Sequence, residues 1–320
     1  MRVDRRFLCA GVFLMAIGGV IVAADLRALD AATLTDTLRV WPLAIIAIGL
    51  SVVLRKTRWS LAGLIVAAAL PGIVLGSAFA VAPRFAGDCG ARGDPASVAT
   101  EEGTFNGPAS VSVRTGCGSM RVSTGSADRW HLTAGNTAGR TPIVQASARS
   151  LSIASVGGED WSFLDGGRDT WDVTLPTGDI EALSLVANGS HSQVGLSGAR
   201  IGRLAITANA SQVVVDASTA SIADLSGAVN VGSLSIQLPA DSDLVGSLRI
   251  GGSELRICTP PGVGLRVTTK GWPRTVLVDG LQQTGSDWQS ADYASAPRRA
   301  DLSVHSNFGS VHINPPGGCT

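Results

Sequence analysis

The side chains with chemistry to offer in this 320-residue chain are four histidines, one dense run of acids, many serines and five cysteines. The histidines are His131, His191, His305 and His312, and none stands in a spacing such as HExxH that sets two imidazoles on one helix face for a metal. His305 and His312 flank Ser306-Asn307-Phe308-Gly309 and could meet across neighbouring strands, although two ordinary strand histidines are the plainer reading. Paired carboxylates serve glycoside hydrolysis and oxygen-rich loops hold Ca²⁺. Glu159, Asp160, Asp165 and Asp169 are the densest acidic cluster, but they lie in a Gly-rich run with Arg168 among them, as a solvated turn does. No Gly-x-Ser-x-Gly elbow follows a strand and opens a helix, and Gly251-Gly252-Ser253 reads as a turn. Phosphate-binding and dinucleotide fingerprints are also missing. The expectation is a protein that is not an enzyme, with no catalytic residue, metal or cofactor.

Aromatic residues offer more. Trp161, Phe163 and Trp171 bracket the acidic loop in a region otherwise poor in aromatics. With Asp165 and Asp169 they form a candidate contact surface, since loops on a rigid scaffold carry recognition. The competing reading makes them a plug for an open end of the core.

Cysteine usage points to export. Cys89, Cys117, Cys258 and Cys319 lie in the later part of the chain, an even number compatible with disulfides in an oxidising compartment. Four cysteines allow three connectivities; Cys89–Cys117 with Cys258–Cys319 is the pairing we favour, the second tying down the end of the chain. No two of them stand two to four residues apart as a zinc finger needs. Cys9 sits in the wrong context for a lipidation box and reads as a buried thiol.

The elements that must position these groups fall into two regions. Residues 1–83 are very apolar and residues 84–320 are rich in Gly, Ser, Thr and Val. Three apolar runs, 7–24, 40–54 and 61–82, are expected to be transmembrane helices, the last containing Pro71. Gly63, Gly72 and Gly76 would let these helices approach closely. The Arg2-Arg5-Arg6 start and the Arg55-Lys56-Thr57-Arg58 turn read as cytoplasmic, so three crossings put everything after Ala82 outside. A rival reading makes the first run a cleaved signal peptide, and leaves the second region on the same side. With 25 basic and 25 acidic residues the net charge is +0, and nothing draws the chain to nucleic acid.

Beyond Arg84 the texture is of short β-rich stretches between turn residues, among them Ser110–Arg114, Trp171–Leu175 and Leu248–Ile250. Leu183-Ser-Leu185-Val-Ala187-Asn188 realigns with Leu204-Ala-Ile206-Thr-Ala208-Asn209 at a spacing of 21, and Leu225 with Asn230 keeps the offset. A further rung is expected to begin near Leu248 after a slightly longer turn. Such periodicity predicts a β-solenoid with coils of about 21 residues, stacking Asn188, Asn209 and Asn230 at one corner. Asn tolerates left-handed backbone and its amide can bond to the next coil. Asn188-Gly-Ser and Asn209-Ala-Ser are also glycosylation patterns, but Asn230 lacks one.

The first region, through Trp41-Pro42-Leu-Ala-Ile-Ile-Ala-Ile-Gly49-Leu50 and its basic flanks, resembles the LiaI/LiaF-type transmembrane region of bacterial envelope-stress proteins. The second resembles the "putative-adhesin", toast-rack and LiaF C-terminal group of β domains. That resemblance rests on Val173-Thr-Leu175-Pro176, the repeat from Leu183 to Ile257, Pro260-Pro261-Gly262-Val263-Gly264-Leu265-Arg266-Val267, and the closing Val304 to Ile313. It implies a non-enzymatic envelope protein, anchored in the lipid bilayer as a multi-pass protein of the bacterial cytoplasmic membrane with its C-terminal domain extracytoplasmic. The function expected is an interaction or sensing module linked to envelope stress, with another envelope or membrane protein as partner. The alternative is a self-associating, adhesin-like surface protein. The chain departs from the pattern in having three helices, a Gly/Cys segment over 86–118 and an insertion over 159–170.

Overall fold

The structure, a computed structural model, describes residues 5–26, 41–54, 57, 60–90, 94–156, 167–272 and 275–319. It divides into two units, Met1–Asp88 and Cys89–Thr320. Among the described residues the first unit holds three apolar helices: α1 (Arg5–Asp25), α2 (Trp41–Val53) and α3 (Ser60–Gly90). Pro42 fits the first turn of α2, where a missing N–H costs nothing. Among the described residues one helix is long and apolar enough to cross a membrane, over Ser60–Ser77 of α3. This narrows the expectation of three spans. The 13 residues of α2 rise about 20 Å against a hydrocarbon core of ~30 Å, and the apolar part of α1 is Phe7–Ala23. The helix α3 also runs on past Ala82 to Gly90. The expected close approach is present: a Cβ added to Gly72 would meet the Phe13 carbonyl at 2.7 Å and the Ala16 Cβ at 2.8 Å, and one on Gly76 would meet the Ile17 carbonyl at 2.9 Å. Glycines one turn apart therefore let α1 and α3 pack backbone to backbone.

The second unit is nearly all strand. In chain order it contains β1 (Ser97–Thr104), β2 (Ala109–Thr115), β3 (Gly118–Gly125), β4 (Arg129–Asn136), β5 (Ile143–Ala146), β6 (Ser150–Ala154) and β7 (Asp169–Pro176). The middle is β8 (Asp179–Asn188), β9 (Ser190–Gly195), β10 (Arg200–Asn209), β11 (Ser211–Asp216), β12 (Ser221–Gln237) and β13 (Leu244–Cys258). The end is β14 (Val263–Trp272), β15 (Thr275–Val278), β16 (Leu281–Thr284), β17 (Asp287–Ser290), β18 (Arg298–Asn307) and β19 (Ser310–Ile313).

These strands form two largely parallel ladders, joined where β12 and β13 run on from one into the other. The first ladder runs in space β1, β4, β7, β3, β9, β11, the second halves of β12 and β13, β19, β15. The second runs β5, β6, β2, β8, β10, the first halves of β12 and β13, β18, β14, β17, β16. Strict alternation decides which side faces in: Leu183, Leu185 and Ala187 are buried while Ser184 and Val186 between them are half-buried on the other face. Each strand thus adds an inward row to one continuous core reaching from Val111 to Ile313.

The 21-residue offset read from the sequence is the register of the central ladders: Leu183, Leu204 and Leu225 are successive partners. The fourth rung keeps the same offset, Gly227 opposite Leu248, and needs no longer turn. Glycine hid it. Gly227 stands where Leu185 and Ile206 stand in earlier rungs, and the Leu248 side chain fills its place, with Cδ2 2.5 Å from where a Cβ would be. Gly246, opposite Leu225, is filled in the same way by Leu302. Small against large keeps the core packed where either residue alone would leave a void or a clash.

Chain order and spatial order part company at both ends. The outermost full rung at the N-terminal end is β6 with β7, and β2 with β3 lies inside it. At the C-terminal end β14 and β15 go to the outside, and β18 and β19 slot in between them and β13. Antiparallel strands then close the N-terminal end on both ladders, β5 on one and β4 with β1 on the other. At the C-terminal end, among the described residues, the second ladder continues into the β16–β17 hairpin and the first ends at β15.

Candidate functional site

Of the five residues expected to form a contact surface, Trp161, Phe163 and Asp165 lie outside the described residues. Asp169 and Trp171 fall on the inward row of β7 with Val173 and Leu175, and both are buried. They cannot present themselves to a partner. The Asp169 carboxylate instead knits three chain segments together. Its Oδ1 accepts from Asn136 Nδ2 at 2.9 Å, and its Oδ2 accepts from the Ser155 hydroxyl and, at 3.4 Å, from the Gly116 amide. The Asp169 amide donates to the Cys117 carbonyl at 2.8 Å. Burial pushes this carboxyl above the usual carboxylate range, against the opposing pull of its three hydrogen bonds. The space beside it is about 10 Å³, room for a water and no more.

Both disulfides take the favoured pairing, Cys89 with Cys117 and Cys258 with Cys319. The Asn column stands at the corner between the two ladders. Asn209 Nδ2 donates to Asn188 Oδ1 at 2.8 Å and Asn230 Nδ2 to Asn209 Oδ1 at 2.6 Å. The turn beyond it needs left-handed backbone, supplied by Gly189 at φ 64° and, less comfortably, by Ala210 at φ 50°. Cys117 reaches the same corner, next to Gly189. His305 and His312 lie on different ladders, β18 and β19, so the pair that their spacing allowed is not assembled.

A depression of about 460 Å³ opens on the first ladder, where Arg121, Asp172, His191 and Gln193 stand beside Met120 and Trp171. It is built by β3, β4, β7 and β9, strands that no local pattern links.

The sharper candidate is the C-terminal end. Among the described residues β15 pairs only with β19, which leaves its other edge open. Its inward residues Val276 and Val278 pack on the core, and its outward Leu277 is 54% exposed. At the adjoining corner Trp272 is 82% and Phe308 78% exposed, and the Phe308 amide donates to the Trp272 carbonyl at 3.1 Å. Phe308 has φ 79°, a left-handed conformation that a bulky residue seldom adopts. An open, uncharged edge beside exposed aromatics is what natural sheets usually avoid.

No protein-family model matches this sequence, and no curated protein sequence matches it. Solved structures do. A "putative cell adhesion protein" from Clostridium sporogenes superposes with a TM-score of 0.47 at 13% identity, covering 68% of this chain and 98% of its own. A "putative adhesin" from Bacteroides fragilis gives 0.31 at 9% identity, over 68% and 97% of the two chains. Another from Parabacteroides merdae gives 0.28 at 10%, over 68% and 96%. At such identities and TM-scores the likeness carries no functional argument.

Proposed function

We propose that this chain is a non-enzymatic surface protein: a helical membrane anchor bearing a disulfide-locked β-solenoid outside the bacterial cytoplasmic membrane, which self-associates through its C-terminal end. The constant 21-residue register of parallel rungs supports the solenoid. Two disulfides support an oxidising compartment for it. A three-span anchor draws support from the glycine contacts of α1 with α3 and from the exposure of Leu14, Ile45, Ile46, Val53 and Leu61, which suits lipid better than water.

The observation that carries self-association is the open edge of β15. Its main-chain donors and acceptors on that side lack a partner strand, and its exposed Leu277 adds apolar area to any contact made there. The test is the molar mass of the detergent-solubilised full chain over a wide concentration range, for wild type and Leu277→Lys. Oligomers that grow with concentration and weaken about tenfold or more in the variant are expected, since a charge on an edge opposes pairing. A strict monomer, or a variant that associates as tightly as wild type, would remove the proposal. Turnover of a cell-wall polysaccharide by the same preparation would remove its non-enzymatic part.

A further inference from the structure

The outward face of the second ladder carries a line of cations. Arg249 on β13, His305 on β18 and Lys270 on β14 are register partners on three adjacent parallel strands. Alternation turns all three outward, and all three are exposed. Neighbouring strands lie about 4.8 Å apart, so the row sets three basic groups at that pitch across roughly 10 Å. Arg249 and Lys270 supply the formal charges, with the His305 imidazole between them.

Nothing described on this face neutralises the row. The ion pairs of the face engage other groups, Arg200 with Asp179 and Arg266 with Asp301 at 2.7 Å. Asp301 is further occupied by the Tyr293 hydroxyl at 2.7 Å, while the Arg266 guanidinium lies 4.9 Å over the Tyr293 ring. Asp301 also sits four positions before His305 along β18, and Asp287 stands opposite Thr268 rather than Lys270. The field above Arg249, His305 and Lys270 is therefore positive.

The flanks are those of a sugar site. On one side, two positions earlier on the same strands, run the hydroxyls of Ser247, Ser303 and Thr268, themselves partners in one row. On the other side stand Asn307 and its partner Trp272, whose indole is largely exposed. An exposed indole offers a broad apolar face to the C–H side of a pyranose ring. Two cations and an imidazole in a line, with hydroxyl and amide groups alongside, suit a polymer with repeating charge better than one small anion.

We propose that the Arg249–His305–Lys270 row, with Trp272 at its margin, binds an acidic polysaccharide. The charged row lies on the second ladder and the β15 edge on the first, with Trp272 at the corner between them, and the site rests on the solenoid facing outward from the cell, where such polymers lie. It names a ligand class that self-association does not require.

The probe is immobilised polygalacturonate, with neutral dextran and phosphatidylglycerol vesicles beside it, and the purified full chain as analyte. Wild type is expected to bind polygalacturonate and not dextran, with affinity falling as salt rises. The pair Arg249→Ala with Lys270→Ala should weaken binding about tenfold or more, through the loss of two charge contacts. Arg203→Ala, which removes one cation elsewhere on the same face, should leave it unchanged, and Trp272→Ala should weaken binding to polygalacturonate. Failure of the folded wild type to bind, or equal losses in the Arg203 and Arg249 variants, overturns the site. Binding to vesicles alone makes it a lipid-headgroup patch and overturns it also. Because association is read separately through Leu277→Lys, either inference can fail while the other stands.

Discussion

At the N-terminal end of the β unit, the inward row of β1 carries Glu101 opposite Leu132; at the C-terminal end, the inward row of β15 carries Val276 and Val278. The first edge bears a charge aimed at the apolar side, which makes docking of a further strand costly, and Glu102 beside it is paired with Arg129 at 2.9 Å. The second edge bears nothing of the kind. At both ends chain order and spatial order part: β6 and β7 are added outside the earlier β2 and β3, and β18 and β19 slot inside the earlier β14 and β15. Two ends of one repeating middle can therefore differ in what they allow, and the difference lies in a few edge side chains.

The disulfides fasten the two ends unequally, and removing them is the harshest way to break the comparison. Cys258–Cys319 closes a separation of 61 residues that contains β14 to β19, the whole overshoot of the C-terminal end. Cys89–Cys117 closes 28. By loop-closure entropy the first is worth about 4 kcal/mol and the second about 3.5 kcal/mol. Urea unfolding of the Cys258→Ala/Cys319→Ala protein should show a C-terminal end that opens before the rest. A larger loss for the Cys89→Ala/Cys117→Ala protein would reverse the ranking of the ends.

At the N-terminal end the buried Asp169 adds a pH dependence on the acid side. Its carboxyl titrates higher folded than unfolded. Its stabilising contribution is therefore complete below the unfolded carboxylate pKa and is lost as pH rises through the raised folded value, at about 1.4 kcal/mol for each unit of difference. Asp169→Asn should flatten the fall in Tm between acid and neutral pH, at some cost everywhere because a single amide oxygen cannot accept both from Asn136 and from Ser155 and Gly116. An unchanged slope would assign the pH dependence to other groups.

The middle of the molecule was legible because it repeats: Leu183, Leu204 and Leu225 face in, and Asn188, Asn209 and Asn230 follow at the same offset. The ends were not, because pairings such as β2 with β8 or β14 with β18 join segments from different parts of the chain and leave no periodic trace. Gly227 and Gly246 masked the fourth rung, since a glycine whose place a neighbour fills looks like a break in an apolar pattern. The burial of Trp171 was available in principle: Asp169, Trp171, Val173 and Leu175 alternate with period two, which marks an inward row. Proximity to an acidic loop outweighed that signal. The basic row had no signal at all, because its three members come from strands brought together only by the overshoot.

Removing the guard on β1 is the gentlest way to sharpen the comparison. Glu101 is exposed and makes no ion pair among the described residues, so Glu101→Val should change stability by no more than about 0.5 kcal/mol. What should change is association. If the β15 edge is the one contact each copy uses, assembly stops at small closed species; a second apolar edge on β1 would make head-to-tail growth possible, and such growth does not close. Light scattering from Glu101→Val should rise with time and concentration well beyond wild type. Adding Leu277→Lys, which charges the other edge again, should suppress the growth. If Glu101→Val assembles no further than wild type, the inward charge is not what keeps the N-terminal edge single, and β1 must be held off by the shape of its end alone.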